Sequence, residues 1–171
     1  LFNRKYLERI VRGFFYVPSV EHRRLKTGLP SPFEAIAKAM EYKKVKNWYF
    51  GLETAVKLNN ATHEFFTVDY VVSDSIFRAK PFLILGRKTK FVKLSKKLFG
   101  FGVKENRSFP PYSSVEKTLL DLIHLRIRCG AADKAIADEL AEWAEGANEK
   151  KLFEYAKHYS AKVRKIAGEL K

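Results

Sequence analysis

The order of apolar and polar positions divides the chain into a mixed and β-rich first two-thirds and a helical last third. Residues 6–17 (YLERIVRGFFYV) predict two short strands, with Ile10 and Val11 before a turn at Arg12-Gly13 and Phe14, Phe15, Tyr16 and Val17 after it. Aromatic and β-branched residues suit strands, and Gly13 permits the positive φ of a tight bend. Pro18 ends the second strand, and the basic connector EHRRLKTGLP that follows has no hydrophobic periodicity. Ser31, Pro32 and Glu34 then predict a capping box with proline at the first helical position. Phe33, Ile36, Ala37 and Met40 recur at helical spacing behind it. A strand at Trp48-Tyr49-Phe50 leads through Gly51 into a helix ending near Asn59-Asn60.

The middle reads as β. Glu64–Val72 alternates, with Phe66, Val68, Tyr70 and Val72 on one face. Phe82–Leu85 and Thr89–Leu94 predict a hairpin across Gly86-Arg87-Lys88, and Phe99–Lys104 with Arg107–Tyr112 a second across Glu105-Asn106. From Ser113 the pattern is helical. Ser113 and Glu116 predict another capping box, and Val115, Leu119, Leu122 and Ile123 build an apolar face. Lys117, Asp121, His124 and Arg128 fall on the opposite side, at spacings that favour surface ion pairs. Further helices are predicted at about 132–145, at 149–158 capped by Asn148, and at 161–170 capped by Ser160. The expectation is an α+β fold: a hairpin over residues 1–20, then an α/β body over 30–171. That body is β-rich at 62–112 around an antiparallel or mixed sheet, and ends in a helical bundle at 113–171.

Composition narrows the function. The 171 residues suit one domain, or one with a small appendage, and 46% hydrophobic residues exclude a disordered chain. No apolar run approaches the roughly 18 residues of a membrane-spanning helix. Cys129 is the sole cysteine, which excludes a disulfide framework and any zinc site built on a cysteine pair. The net charge is +14, of which residues 1–104 carry +13 and residues 105–171 only +1. Such an excess makes nucleic acid the leading partner; a plain solubility surface competes with it, and an anionic membrane is a weak third. The chain starts at Leu1 and its one methionine is Met40, so it reads as a fragment or mature form, and residues 1–12 do not form a signal peptide.

Enzymatic chemistry finds little support. A metal-dependent nuclease needs converging carboxylates and a nearby lysine. Glu41-Tyr42-Lys43 has no upstream aspartate, and Glu149-Lys150-Lys151 lies in the polar terminal helices. Asp69 and Asp74 are five residues apart, hence on opposite faces of a continued strand, and no phosphate-binding glycine loop occurs. His22, His63, His124 and His158 are not paired at ligand spacing. No catalytic residue, metal or cofactor is therefore assigned. The basic groups suit binding: Arg4, Lys5, Arg9 and Arg12 around the first hairpin; Arg23, Arg24 and Lys26 after it; and Lys43, Lys44 and Lys46 beyond the first long helix. Arg87, Lys88, Lys90, Lys93, Lys96 and Lys97 place six cations in eleven residues, as a phosphate track or equally as a sheet edge guarded by lysine.

These pieces resemble a family. Ile10-Val11-Arg12-Gly13-Phe14-Phe15-Tyr16-Val17-Pro18 is similar to the wing that follows the helix-turn-helix in AbiEi-type antitoxins, transcriptional regulators of phage-defence toxin–antitoxin systems. Trp48-Tyr49-Phe50-Gly51-Leu52-Glu53-Thr54-Ala55 looks like that family's aromatic strand entering a small-residue helix. Tyr112-Ser113-Ser114-Val115-Glu116-Lys117-Thr118-Leu119-Leu120-Asp121-Leu122 resembles its "Ser-x-Glu-Arg/Lys-x-x-Leu-Asp" helix start, and Val163-Arg164-Lys165-Ile166-Ala167-Gly168 its closing helix. The helix-turn-helix that precedes the wing in the family is absent, and a single glycine stands at Gly130 where the family has a pair. The resemblance implies a non-enzymatic, cytoplasmic DNA-binding regulator whose hairpin is the remnant of a winged helix, with a nucleotidyltransferase-like toxin as its functional partner. The alternatives are a protein-interaction domain that binds an acidic partner and, less favoured, a metal-dependent nuclease-like protein.

Overall fold

The computed structural model describes residues 7–25, 30–106 and 109–170, the side chains of His22, Arg23 and Leu25 excepted. It is an α+β fold built on a mixed six-stranded sheet, with a separate two-stranded hairpin at the N-terminal end of the described chain. Strand β1 (Glu8–Val11) turns at Arg12-Gly13 into β2 (Phe14–Tyr16), and Gly13 takes φ +81°. A short helix α1 (Val20–Leu25) occupies part of the connector in which no element was expected. Glu21 in its first turn favours a helix start without any apolar stripe.

Helix α2 (Pro32–Tyr42) carries proline in its first turn and buries Ala35, Ile36, Ala39 and Met40. The expected capping box is not formed. Ser31 contributes its backbone carbonyl, which accepts from the Ala35 N–H, and makes no side-chain cap bond. Strand β3 (Trp48–Phe50) and helix α3 (Leu52–Leu58) follow as expected. Strand β4 (Val68–Ser73) starts four residues later than the alternation predicted.

The next two strands are β5 (Phe82–Ile84) and β6 (Arg87–Lys93). Their turn is Leu85-Gly86, both at positive φ, so Arg87 and Lys88 open β6 instead of lying in the turn. A 3-10 turn at Lys96–Leu98 precedes the second predicted hairpin, whose first strand begins at Val103 instead of Phe99. Its strands are β7 (Val103–Asn106) and β8 (Phe109–Ser113). Glu105 and Asn106 belong to β7, and the connection at 107–108 lies outside the described residues.

The sheet order is β5-β6-β4-β3-β8-β7, parallel between β6 and β4 and between β3 and β8, antiparallel elsewhere. Adjacent residues of a strand point to opposite faces, and here both faces are buried. Tyr49, Val72 and Val92 pack toward helix α3 and the C-terminal helices, whereas Phe50, Val71 and Phe91 pack toward α2 and the hairpin. Ile10 and Val11 of the hairpin share that second core with Ile36, Met40 and Ile84.

Helices α4 (Val115–Arg128), α5 (Asp133–Ala144), α6 (Glu149–Ala156) and α7 (Ala161–Gly168) form the bundle on the first face, with α4 touching the other three. Asn148 and Ser160 cap α6 and α7 as predicted. The cap of α4 falls one residue later than expected, on Ser114, whose hydroxyl accepts from the Lys117 N–H. Ser113 instead ends β8 and shares a 2.7 Å hydrogen bond with the Thr118 hydroxyl. Glu116 reaches forward to the Asn148 N–H at 2.9 Å and ties the first turn of α4 to the start of α6.

The larger correction concerns the side of α4 expected to face solvent. Every residue from Glu116 to Ile123 is buried, Lys117 and Asp121 completely, because α6 and α7 cover that side. Gly102 makes the closure possible. It sits at φ +63°, and a Cβ there would lie 2.7 Å from Lys117 Cβ and 3.0 Å from the Tyr155 ring. Gly102→Ala is expected to cost roughly 2–4 kcal/mol through left-handed strain and overpacking. Gly13→Ala, at φ +81° with nothing within 4 Å, is expected to cost about 1 kcal/mol. Urea unfolding of the two variants measures the difference.

Candidate nucleic-acid interface

Register decides which cations meet. Trp48 pairs with Ser73 across β3 and β4, and Ser73 with Lys93 across β4 and β6, so the start of β3 and the ends of β4 and β6 share one end of the sheet. Lys43 closes α2, Lys44 follows in the left-handed region at φ 55°, and Lys46 leads into β3 at that end. Lys93 ends β6, and Lys96 and Lys97 lie in the 3-10 turn just beyond. The junction is pinned: Asn47 donates to Asp74 at 2.6 Å, the Asp74 N–H to the Asn47 carbonyl, and the Leu94 N–H to the Ser73 carbonyl. The rings of Phe14 and Tyr42, 5.4 Å apart, bring the hairpin turn and Arg12 to the same end. Arg12, Lys43, Lys44, Lys46, Lys93, Lys96 and Lys97 are all exposed there.

The other predicted cations are placed differently. Arg9 is exposed on β1 and Arg24 on α1, while Arg4, Lys5, Lys26 and the Arg23 side chain lie outside the described residues. Arg87 and Lys88 stand at the opposite end of β6, and Lys90 is half-buried midway along it. Arg87 forms two hydrogen bonds to the buried Asp69, at 2.9 and 2.7 Å, and these raise its pKa. Among the described residues Arg87 is the one member of the candidate set in an ion pair. The two aspartates tested for metal chemistry are thus engaged, Asp69 by Arg87 and Asp74 by Asn47. Among the described residues no three His, Cys, Asp or Glu side chains cluster to hold a metal.

The interior carries a polar site that the sequence pattern did not disclose. Lys117 Nζ donates to Asp121 Oδ1 at 2.6 Å, to Tyr159 OH at 2.7 Å and to Tyr49 OH at 2.9 Å. Both tyrosines donate in turn to Asp121, Tyr49 to Oδ2 at 2.7 Å and Tyr159 to Oδ1 at 2.6 Å. Phe101 adds its ring face 5.2 Å from the ammonium. All three ammonium donors are spent and the group is enclosed, so the arrangement joins β3, α4 and the α6–α7 junction; nothing about it admits a ligand. Burial, with the Asp121 charge beside them, pushes both tyrosine hydroxyls well above their ordinary value. Burial also lowers the Lys117 pKa against the pull of Asp121.

His124 does not join this pair, because Lys117 and the tyrosines occupy Asp121. It lies half-buried with its ring 6.1 Å from Tyr159, and burial with the nearby Arg128 charge lowers its pKa. One signal for the buried pair was present in the sequence. Leu120, three residues from Lys117 and four from His124, borders the supposedly wet side of α4 and extends the apolar face up to it.

Two outcomes are expected. Asp121→Ala strands a buried ammonium and should cost about 3–5 kcal/mol in urea unfolding. The tyrosine pKa values are raised in the folded state, so their contribution is complete below the unfolded value of 10.0 and declines as pH rises beyond it. Stability should therefore fall above pH 10, and fall less steeply in Tyr49→Phe/Tyr159→Phe. Separately, Arg87→Gln should lower stability by about 1–3 kcal/mol by unpairing Asp69, while Lys88→Gln leaves it unchanged.

Neither a family model nor a curated protein sequence matches the chain. Among solved structures it is similar to the RV2827C protein from Mycobacterium tuberculosis, with a TM-score of 0.61 and 9% identity over 96% of this chain. This chain spans 60% of the length of that one. At that identity the likeness establishes a shared fold for the aligned region.

Proposed function

We propose that this chain belongs to a non-enzymatic, cytoplasmic DNA-binding transcriptional regulator of the AbiEi antitoxin type, and that its basic end lies along the phosphate backbone of duplex DNA. The observation that carries the reading is the gathering of Arg12, Lys43, Lys44, Lys46, Lys93, Lys96 and Lys97 at one end of the sheet. They come from three separate stretches of chain and are exposed, with no acidic partner among the described residues. A surface selected only for solubility gains nothing from such clustering, since like charges repel. A phosphate track needs it, because duplex DNA presents one charge about every 1.7 Å of its axis. Backbone contacts of this kind position a duplex without reading its sequence. The resemblance to the antitoxin family adds the regulatory role and a nucleotidyltransferase-like toxin as functional counterpart. No cofactor is invoked. Among the described residues no helix is long and apolar enough to cross a membrane.

The test is anisotropy of a labelled duplex over a range of salt. Affinity should fall steeply with salt, and Lys43→Gln/Lys44→Gln/Lys46→Gln should flatten the log–log slope by about 2.7, at about 0.9 per phosphate contact. Lys150→Gln/Lys157→Gln, on exposed positions of the near-neutral terminal helices, should leave the slope unchanged. No binding at low salt, or equal slopes for both variants, would refute the proposal.

A further inference from the structure

Two grooves flank the ion pair between Glu53 on α3 and Arg126 on α4, and they carry opposite charge. One, of about 510 Å³, has Glu64, Glu139 and Glu142 along its walls beside Phe66 and Trp143. The other, of about 840 Å³, has Lys90, Lys93 and Arg128 around Val92, Leu122 and Leu125. Glu53, Tyr70 and Arg126 line both, so they form the ridge between the two. That ridge is fixed, because Arg126 is held by Glu53 at 3.1 Å and by Glu139 at 2.7 Å. Two large aromatic side chains are left in the open beside the halves: Phe65, 77% exposed and adjacent to Glu64, and Phe77, 63% exposed within the basic groove.

An acidic partner would satisfy one half of this surface and be repelled by the other, and a basic partner the reverse. A two-fold axis that runs along the ridge brings each half of the patch against the opposite half of its copy. A surface that is acidic on one side of a ridge and basic on the other is therefore complementary to itself. We propose that a second copy of this chain docks here, about an axis near the Glu53–Arg126 ridge. Glu64 and Glu142 of each copy face Lys90 and Arg128 of the other, and the apolar groove walls and exposed phenylalanines leave water. The pairing is measured without nucleic acid and its charge contacts fall on Lys90 and Arg128; Lys93 lies where this groove meets the basic end of the sheet.

Light scattering on the 171-residue chain without DNA should give twice 19.8 kDa. Lys90→Glu/Arg128→Glu makes both halves acidic and Glu64→Lys/Glu142→Lys makes both basic, so each variant alone should run as a monomer. An equimolar mixture restores opposite charges at both contacts and should recover the dimer. A variant whose circular dichroism departs from the parent is replaced by its neutral form, Lys90→Gln/Arg128→Gln or Glu64→Gln/Glu142→Gln, with the same loss of dimer expected. A monomeric parent at every accessible concentration overturns the proposal. So does a dimer that survives either charge reversal, or a mixture of charge-reversed variants that stays monomeric.

Discussion

The pairing of Lys117 with Asp121 inside a cage of tyrosine rings is the constraint on which the rest of the helical layer depends. Taking an ammonium and a carboxylate out of water costs several kcal/mol for each ion, and only complete hydrogen bonding with good geometry offsets it. Here the offset needs groups from three places: Tyr49 from β3, Lys117 and Asp121 from α4, and Tyr159 from the α6–α7 junction. A partly assembled network leaves a buried charge short of partners, so sheet, central helix and terminal helices are stable only in one mutual arrangement. The side chain of Gly102 is missing where it would strike Lys117, which lets the loop bearing Phe101 close over the pair.

That interior pair is neutral overall, so the whole excess of +14 lies on other side chains. The layering then decides where many of them go. With α2 and the hairpin on one face of the sheet and α3 to α7 on the other, the sheet's central strands offer little surface to water. Chain ends and connections do, and lysines placed there keep their ammonium groups hydrated. The α2–β3 connection and the β6 exit meet because β4 runs antiparallel to β3 and parallel to β6. Strand direction, through those two pairings, converts cations some fifty residues apart in sequence into one surface.

Elements specified by local chemistry were legible in the sequence. The Arg12-Gly13 turn, the proline-led α2, the aromatic strand β3 and the asparagine and serine caps of α6 and α7 all depend on residues within a few positions of each other. What local pattern misjudged was set by distant neighbours. The side of α4 bearing Lys117 and Asp121 has the spacing of a wet surface, and it is dry because Tyr49 and Tyr159 lie 68 and 42 residues from Lys117. Capping was misplaced at Ser113 because two adjacent serines offer the same chemistry, and only the end of β8 separates their roles. Arg87 looked equivalent to Lys88 until β4 placed Asp69 beside it.

These contrasts bear on what a short motif signifies. Glu116, Lys117 and Asp121 carry the strongest part of the proposed likeness to the antitoxin family, and each has a mechanical task here. Glu116 fastens α4 to α6, and Lys117 with Asp121 fastens α4 to the sheet and to Tyr159. The motif is a joint in this chain, because changing one member leaves the others buried and unsatisfied. The cations at the sheet end obey no such rule: each is exposed, replaceable by its neighbour, and effective only through their sum. The residues most recognisable by pattern therefore hold the scaffold together, while those proposed to meet a polyanionic partner are recognisable only once the fold has placed them side by side.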